Sequence, residues 1–107
     1  MAVQAVEAPT LSIMVPLLLR GLRERATAIK RKSCLIIDNM AKLVDNPHDA
    51  AVFLPRLLPG VEKVKDEVSD PECRGVATKA HATLLRLVKD VDAVPPKAAD
   101  TQARLPI

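Results

Sequence analysis

Aromatic side chains are almost missing from this chain: Phe53 stands alone among 107 residues, with no Trp or Tyr. A stacking platform for unpaired bases is therefore excluded, and any core must be aliphatic. Cysteine is scarce as well. Cys34 and Cys73 lie in unrelated contexts, with no CxxC and no His at ligand spacing, so neither a disulfide framework nor a zinc site is indicated. A reduced, cytoplasmic protein is the simplest expectation. No apolar run approaches the length of a membrane span: the patch Leu11 to Leu19 is too short, has Glu7 upstream and no basic residue before it. Neither a membrane nor DNA is expected as a partner. With three glycines and no GxxxxGK[ST] phosphate loop, the chain carries no nucleotide-binding signature. No nucleophile, base and orienting group can be assembled: His48 reads as a surface loop residue and His81 as a partly buried, hydrogen-bonded one. An enzyme acting alone is not expected, and no cofactor or metal is implied.

What is present is aliphatic and helical in spacing. Hydrophobic residues make up 49% of the chain and are nearly all Leu, Val, Ile and Ala, which at this length suits one small all-α domain. In the segment from Thr27 to Val44, the residues Ile29, Ile36, Ile37, Met40, Leu43 and Val44 form one stripe at 3.6 residues per turn. Arg31, Asp38 and Lys42 fall opposite, Asp38 and Lys42 as an acid-before-base pair four apart, and Leu35 lies off the stripe. Thr27 is the expected cap of this helix, and Thr10 the cap of an earlier one running from Leu11 to Glu24 and kinked at Pro16. Ser33 is expected to bond back to a helix carbonyl, and Gly21 either to let a neighbouring helix approach closely or to weaken the last turn. Asp45, Asn46 and Pro47 break the pattern. A third helix follows over Phe53 to Val68, with Pro55 and Pro59 expected to bend or interrupt its first half. Ser69-Asp70-Pro71-Glu72 is the clearest punctuation: Asp70 caps, Pro71 takes the first helical position, and Glu72 faces the positive end of the helix dipole. The fourth helix then runs to about Lys89 with Cys73, Val76, Ala77, Ala80, Leu84, Leu87 and Val88 on one stripe.

The chain repeats itself. Pro16 to Leu22 matches Pro55 to Val61 at an offset of 39, while the second helices align at an offset of 44, setting Ile37 on His81 and Met40 on Leu84. Two helices per unit at this period, with proline in the first, look like HEAT repeats. The expected organisation is a loose N-terminus over 1–8, two stacked HEAT-like hairpins over 9–88 (about 9–44 and 47–88), and a flexible tail over 89–107. Two repeats leave apolar end faces. The isolated chain is thus expected to be a marginally stable solenoid fragment that self-associates or docks on a larger partner.

Beyond the generic repeat, PTLSIMVPLLLRGLRERATAIKRKSCLIIDNMAKLV and FLPRLLPGVEKVKDEVSDPECRGVATKA together resemble the N-terminal HEAT region of fungal-type translation elongation factor three. A more distant likeness is to the ribosome-associated HEAT protein that activates the general-control kinase. The resemblance spans Pro9 to Val88 through RGLRER, AIKRK, IIDNM, LLPG and SDPE. It implies a curved arm laid on the small ribosomal subunit, in a family whose ATP-binding cassettes lie further along the chain. Those cassettes are not in this sequence, so ATP hydrolysis does not carry over.

Charge supplies the candidate site. The net charge is only +3, yet Arg20, Arg23, Arg25, Lys30, Arg31 and Lys32 crowd one helix-to-helix turn against Glu24 alone. Such a cluster can meet RNA phosphates, which position a protein without reading sequence. Duplex rRNA or an acidic protein surface of the small subunit is the expected partner. The plainer alternative is the solvated edge of a solenoid, and for Lys30 and Arg74 packing against an Asp across repeats is the favoured expectation. A protein-binding HEAT scaffold and the accessory arm of a longer ATPase are the other functional classes left open.

Overall fold

A computed structural model of the chain describes residues 5–93. The expected looseness of residues 1–4 and the tail from 94 onward lie outside the described residues. Five helices follow one another: α1 (Ala8–Leu22), α2 (Thr27–Lys42), the single turn α3 (Pro47–Ala50), α4 (Leu54–Glu67) and α5 (Pro71–Ala93). The fold is all-α. α1 and α2 form one hairpin, α4 and α5 the next, and α3, which the sequence pattern did not reveal, joins them with Asn46 accepting from the His48 amide at 3.1 Å.

The first hairpin is antiparallel. The Val6 amide, just before α1, donates to the Leu43 carbonyl at the far end of α2 at 2.8 Å, so residues 5–7 are tied down rather than loose. Where α1 meets α2, a Cβ on Gly21 would stand 2.1 Å from the Ser33 Oγ. That hydroxyl donates to the Ile29 carbonyl at 2.8 Å, as the sequence suggested. The close approach therefore needs glycine at 21.

The hairpins stack in parallel register. Contacts between α2 and α5 join near-equivalent positions: the Cys73 thiol faces the Thr27 carbonyl at 4.0 Å, and the Thr83 hydroxyl donates to Asp38. Between the first helices, a Cβ on Gly60 would meet Leu22 at 2.9 Å and Leu19 at 3.8 Å. The aligned glycines thus serve different contacts, Gly21 within a hairpin and Gly60 between hairpins. α4 runs six residues past the position matching the end of α1, and the turn after it is one residue shorter. This accounts for the larger offset of the second helices.

Several local expectations are corrected. Thr27 is the first residue of α2 and Ala26 its cap, without a side-chain bond; Thr10 lies inside α1, which Glu7 precedes. α1 begins earlier with Pro9 in its first turn, where no amide donor is needed. α1 ends at Leu22 rather than Glu24. α4 continues through Pro59, and Pro55 falls in the first turn, where no amide donor is needed. α5 extends to Ala93, beyond Lys89. Asp70 caps it as expected, accepting from the Cys73 amide at 2.9 Å.

The largest correction is the rotation of α2. Its buried residues are Ser33, Cys34, Ile37, Asp38, Met40 and Ala41, while Ile29, Ile36 and Leu43 are 44%, 37% and 41% exposed. The reason lies in α5, whose buried Cys73, Ala77, Ala80 and Thr83 offer a shallow surface. α2 lies closely on α5 through Asp38 and Thr83 and on α1 through Ser33 and Gly21, and close packing outweighs side-chain hydrophobicity there. Asp38, expected on the solvent side, is buried between Thr83 of α5 and Lys42, whose Nζ lies at 3.1 Å.

Glycine positions give a direct check. Nothing lies within 4 Å of a Cβ on Gly75 in exposed α5 surface, so Gly75→Ala is expected to stabilise by about 0.5–1 kcal/mol. Gly21→Val is expected to destabilise by about 1–3 kcal/mol through overpacking. Urea unfolding of the two variants, read by circular dichroism, should show midpoints moving in opposite directions.

Candidate nucleic-acid interface

The turn that carries the basic cluster is four residues long and closed by its own backbone. The Arg23 amide donates to the Arg20 carbonyl at 3.0 Å, the Glu24 amide to Gly21 at 3.2 Å, and the Ile29 and Lys30 amides both to Ala26 at 3.1 and 3.2 Å. These bonds hold the ends of both helices, and side chains project from the turn. Arg20, Arg23, Arg25 and Lys32 are exposed, and Lys30 and Arg31 are half-buried.

The six cations do not form one patch. Arg31 leaves the set, its Nη1 lying 2.9 Å from Glu72 Oε1 at the start of α5. It borders a hollow with Thr27, Asp70 and Glu72, where acids balance it. Arg20, Arg23, Arg25, Lys30 and Lys32 make no ion pair among the described residues. Nor does Arg74, so the expected Asp partner for Lys30 and Arg74 is not found.

Arg23 and Lys30 join cations of the second repeat instead. A groove of about 660 Å³ runs between α1 and α4, lined by Pro16, Leu19, Leu22, Pro59 and Gly60 with Arg23, Arg56 and Lys63 among its walls. An adjoining hollow shares Arg23 and Lys63 and adds Lys30 and Glu67. Arg56 and Lys63 were not singled out in the sequence. Their separation of seven residues, two turns on one face of α4, was the available signal. It is easily overlooked because the proline pattern dominates that stretch.

The thiols offer no nucleophile. Cys34 and Cys73 are both fully buried, and burial, followed by its neighbour Cys73, pushes the Cys34 thiol up to about 12. Burial and then Asp70 raise Cys73, against the lowering influence of Lys30 and Arg31. Both thiols are protonated at neutral pH and pack as small apolar groups. Because the folded value of Cys34 is raised from 9.0, the stability linked to it is intact below pH 9.0 and drains as pH climbs toward about 12. Native protein is expected to leave a disulfide dye unreduced at pH 8 until urea exposes both thiols. Cys34→Ala should remove the Cys34 share of the alkaline loss.

Among the described residues no three His, Cys, Asp or Glu side chains gather as metal ligands, and no helix is long and apolar enough to cross a membrane. What the arrangement can do is Coulombic: it can hold an anion or a polyanion.

Comparison with known proteins decides the lineage. Residues 1–95 match the family model described as the elongation factor 3/GNC1 HEAT repeat. The chain belongs to this HEAT-repeat family. Over 85 residues it is 60% identical to elongation factor 3 of Pneumocystis carinii, covering 79% of this chain and 8% of that protein. It is 58% identical over 82 residues to elongation factor 3 of Phytophthora infestans, with 77% and 8% covered. Against elongation factor 3A of Saccharomyces cerevisiae it is 56% identical over 88 residues, with 80% and 8% covered. The chain therefore spans less than a tenth of the length of these relatives. The elongation factor 3 HEAT repeat matched here includes both hairpins and the whole basic turn.

Proposed function

We propose that this chain is the ribosome-docking HEAT module of an elongation-factor-3-like translation factor, working in the cytoplasm and contacting small-subunit rRNA through its basic turn. The observation that carries the reading is the set of exposed cations in and flanking one turn, Arg23 and Arg25 in it with Arg20 of α1 and Lys32 of α2 beside it, with no ion pair among the described residues. Such groups are free to displace counterions from phosphates. With one aromatic in the chain, duplex rRNA suits them better than unpaired bases. In a longer protein the two hairpins would be an arm that holds an ATPase on its ribosome, and hydrolysis would reside elsewhere.

Cosedimentation with purified small subunits tests this. Reversing Arg20, Arg23, Arg25 and Lys32 to Glu is expected to weaken binding at least about tenfold, with helicity unchanged. Arg31→Ala should change it by less than about twofold, because Glu72 already occupies that guanidinium. Undiminished binding by the four-residue variant would overturn the reading. It would favour a scaffold that grips a protein through apolar surface such as Ile29, Ile36 and Leu43.

A further inference from the structure

We propose that the groove between α1 and α4 is a receptor for an acidic, leucine-bearing peptide segment of a partner protein. Its floor is apolar, built from Pro16, Leu19, Leu22 and Pro59, and Gly60 lets the two helices meet beneath it. Its cations are Arg23, Arg56 and Lys63, none of which makes an ion pair among the described residues. Lys30 extends the basic edge into the adjoining hollow, where Glu67 is the sole acid.

This combination selects its occupant. A volume of about 660 Å³ is in the size range of formed ligand sites, which pair an apolar lining with a few charged groups. Prolines and leucines gain nothing from ribose or phosphate, and no aromatic lines the groove to stack a base. An aliphatic side chain on the floor with carboxylates at the rim uses both features. The chain's own residues 94–107 do not complement it, since they bring Lys97 and Arg104 against Asp100 alone. The proposal shares Arg23 with the docking turn, but Arg56 and Lys63 are not in the turn, and its test contains no ribosome.

The probe is a short fluorescein-labelled peptide of glutamates flanking a leucine pair, followed by fluorescence anisotropy with the full chain at physiological salt. There, charges more than about 8 Å away are largely screened. Binding is expected, weakened at least about tenfold by Arg56→Glu with Lys63→Glu and by a smaller factor by the glutamine pair. Replacing the peptide's leucines by serine should weaken it about fivefold. Reversal of Lys32 alone, which lines neither hollow, should leave it within about twofold. No binding, equal affinity for the serine peptide, or an RNA hairpin that binds more tightly and depends on Arg56 and Lys63 would each overturn the proposal.

Discussion

Thr83→Val is expected to lower stability by about 2–3 kcal/mol, although it exchanges one hydroxyl for a methyl of similar size. The Thr83 hydroxyl donates to the Asp38 carboxylate across the α2–α5 contact, and Asp38 is only 4% exposed. Removing the donor leaves that carboxylate in place with Lys42 as its remaining partner. A buried anion stripped of one of its two partners has its desolvation cost only partly offset. Removing the acid is milder. In Asp38→Leu the Thr83 hydroxyl still has the Lys79 carbonyl at 3.1 Å, and Lys42, with a side chain 54% exposed, is served by water. The double variant Asp38→Leu with Thr83→Val should therefore recover more than half of the loss, since neither orphan then remains. Urea unfolding of the three variants measures this directly. Simple addition of the two single costs would show that the pair does not act as a unit.

Leu84→Ala is expected to cost about 3–4 kcal/mol, a large share of the about 5–15 kcal/mol of a typical domain. Leu84 is 1% exposed on α5, the helix that packs against both its hairpin partner α4 and the equivalent helix α2 of the first repeat. A cavity there loosens both contacts together. The neighbouring Leu85 is 45% exposed, and Leu85→Ala should stay within about 0.5 kcal/mol. Chemical unfolding that ranks the two variants equally would mean that α5 is not the spine of the stack.

The first of these experiments falls where sequence reading was weakest, whereas Leu84 was expected on the α5 stripe and is buried there. The α5 cap was legible because Asp70, Pro71 and Glu72 act within one turn, and local chemistry decides a helix start. The all-α fold and the stacking of like on like were legible because the repeated Pro-x-Leu-Leu pattern records one structural unit twice. The facing of α2 was not. Hydrophobic periodicity weights Ile29, Ile36 and Leu43 heavily and Ser33, Cys34 and Ala41 lightly, whereas the small residues are the buried ones, Ser33 against Gly21 of α1, and the large ones are left at the edge. Asp38 was misplaced for the same reason: nothing near it in sequence announces Thr83. In the basic turn the cations themselves were legible, but their division was not. Arg31 turns to Glu72, and Arg23 and Lys30 border hollows shared with the second repeat, through contacts that only the stacking creates.

The central claim is that the unpaired cations of the turn dock this module on ribosomal RNA, and salt tests it most directly. Affinity for purified small subunits should fall steeply as salt rises, with a log–log slope of about −3 to −5 for four or five phosphate contacts. Reversal of Arg20, Arg23, Arg25 and Lys32 should flatten that slope toward zero. A wild-type affinity that barely changes with salt, or a slope that the reversal leaves intact, would contradict the account.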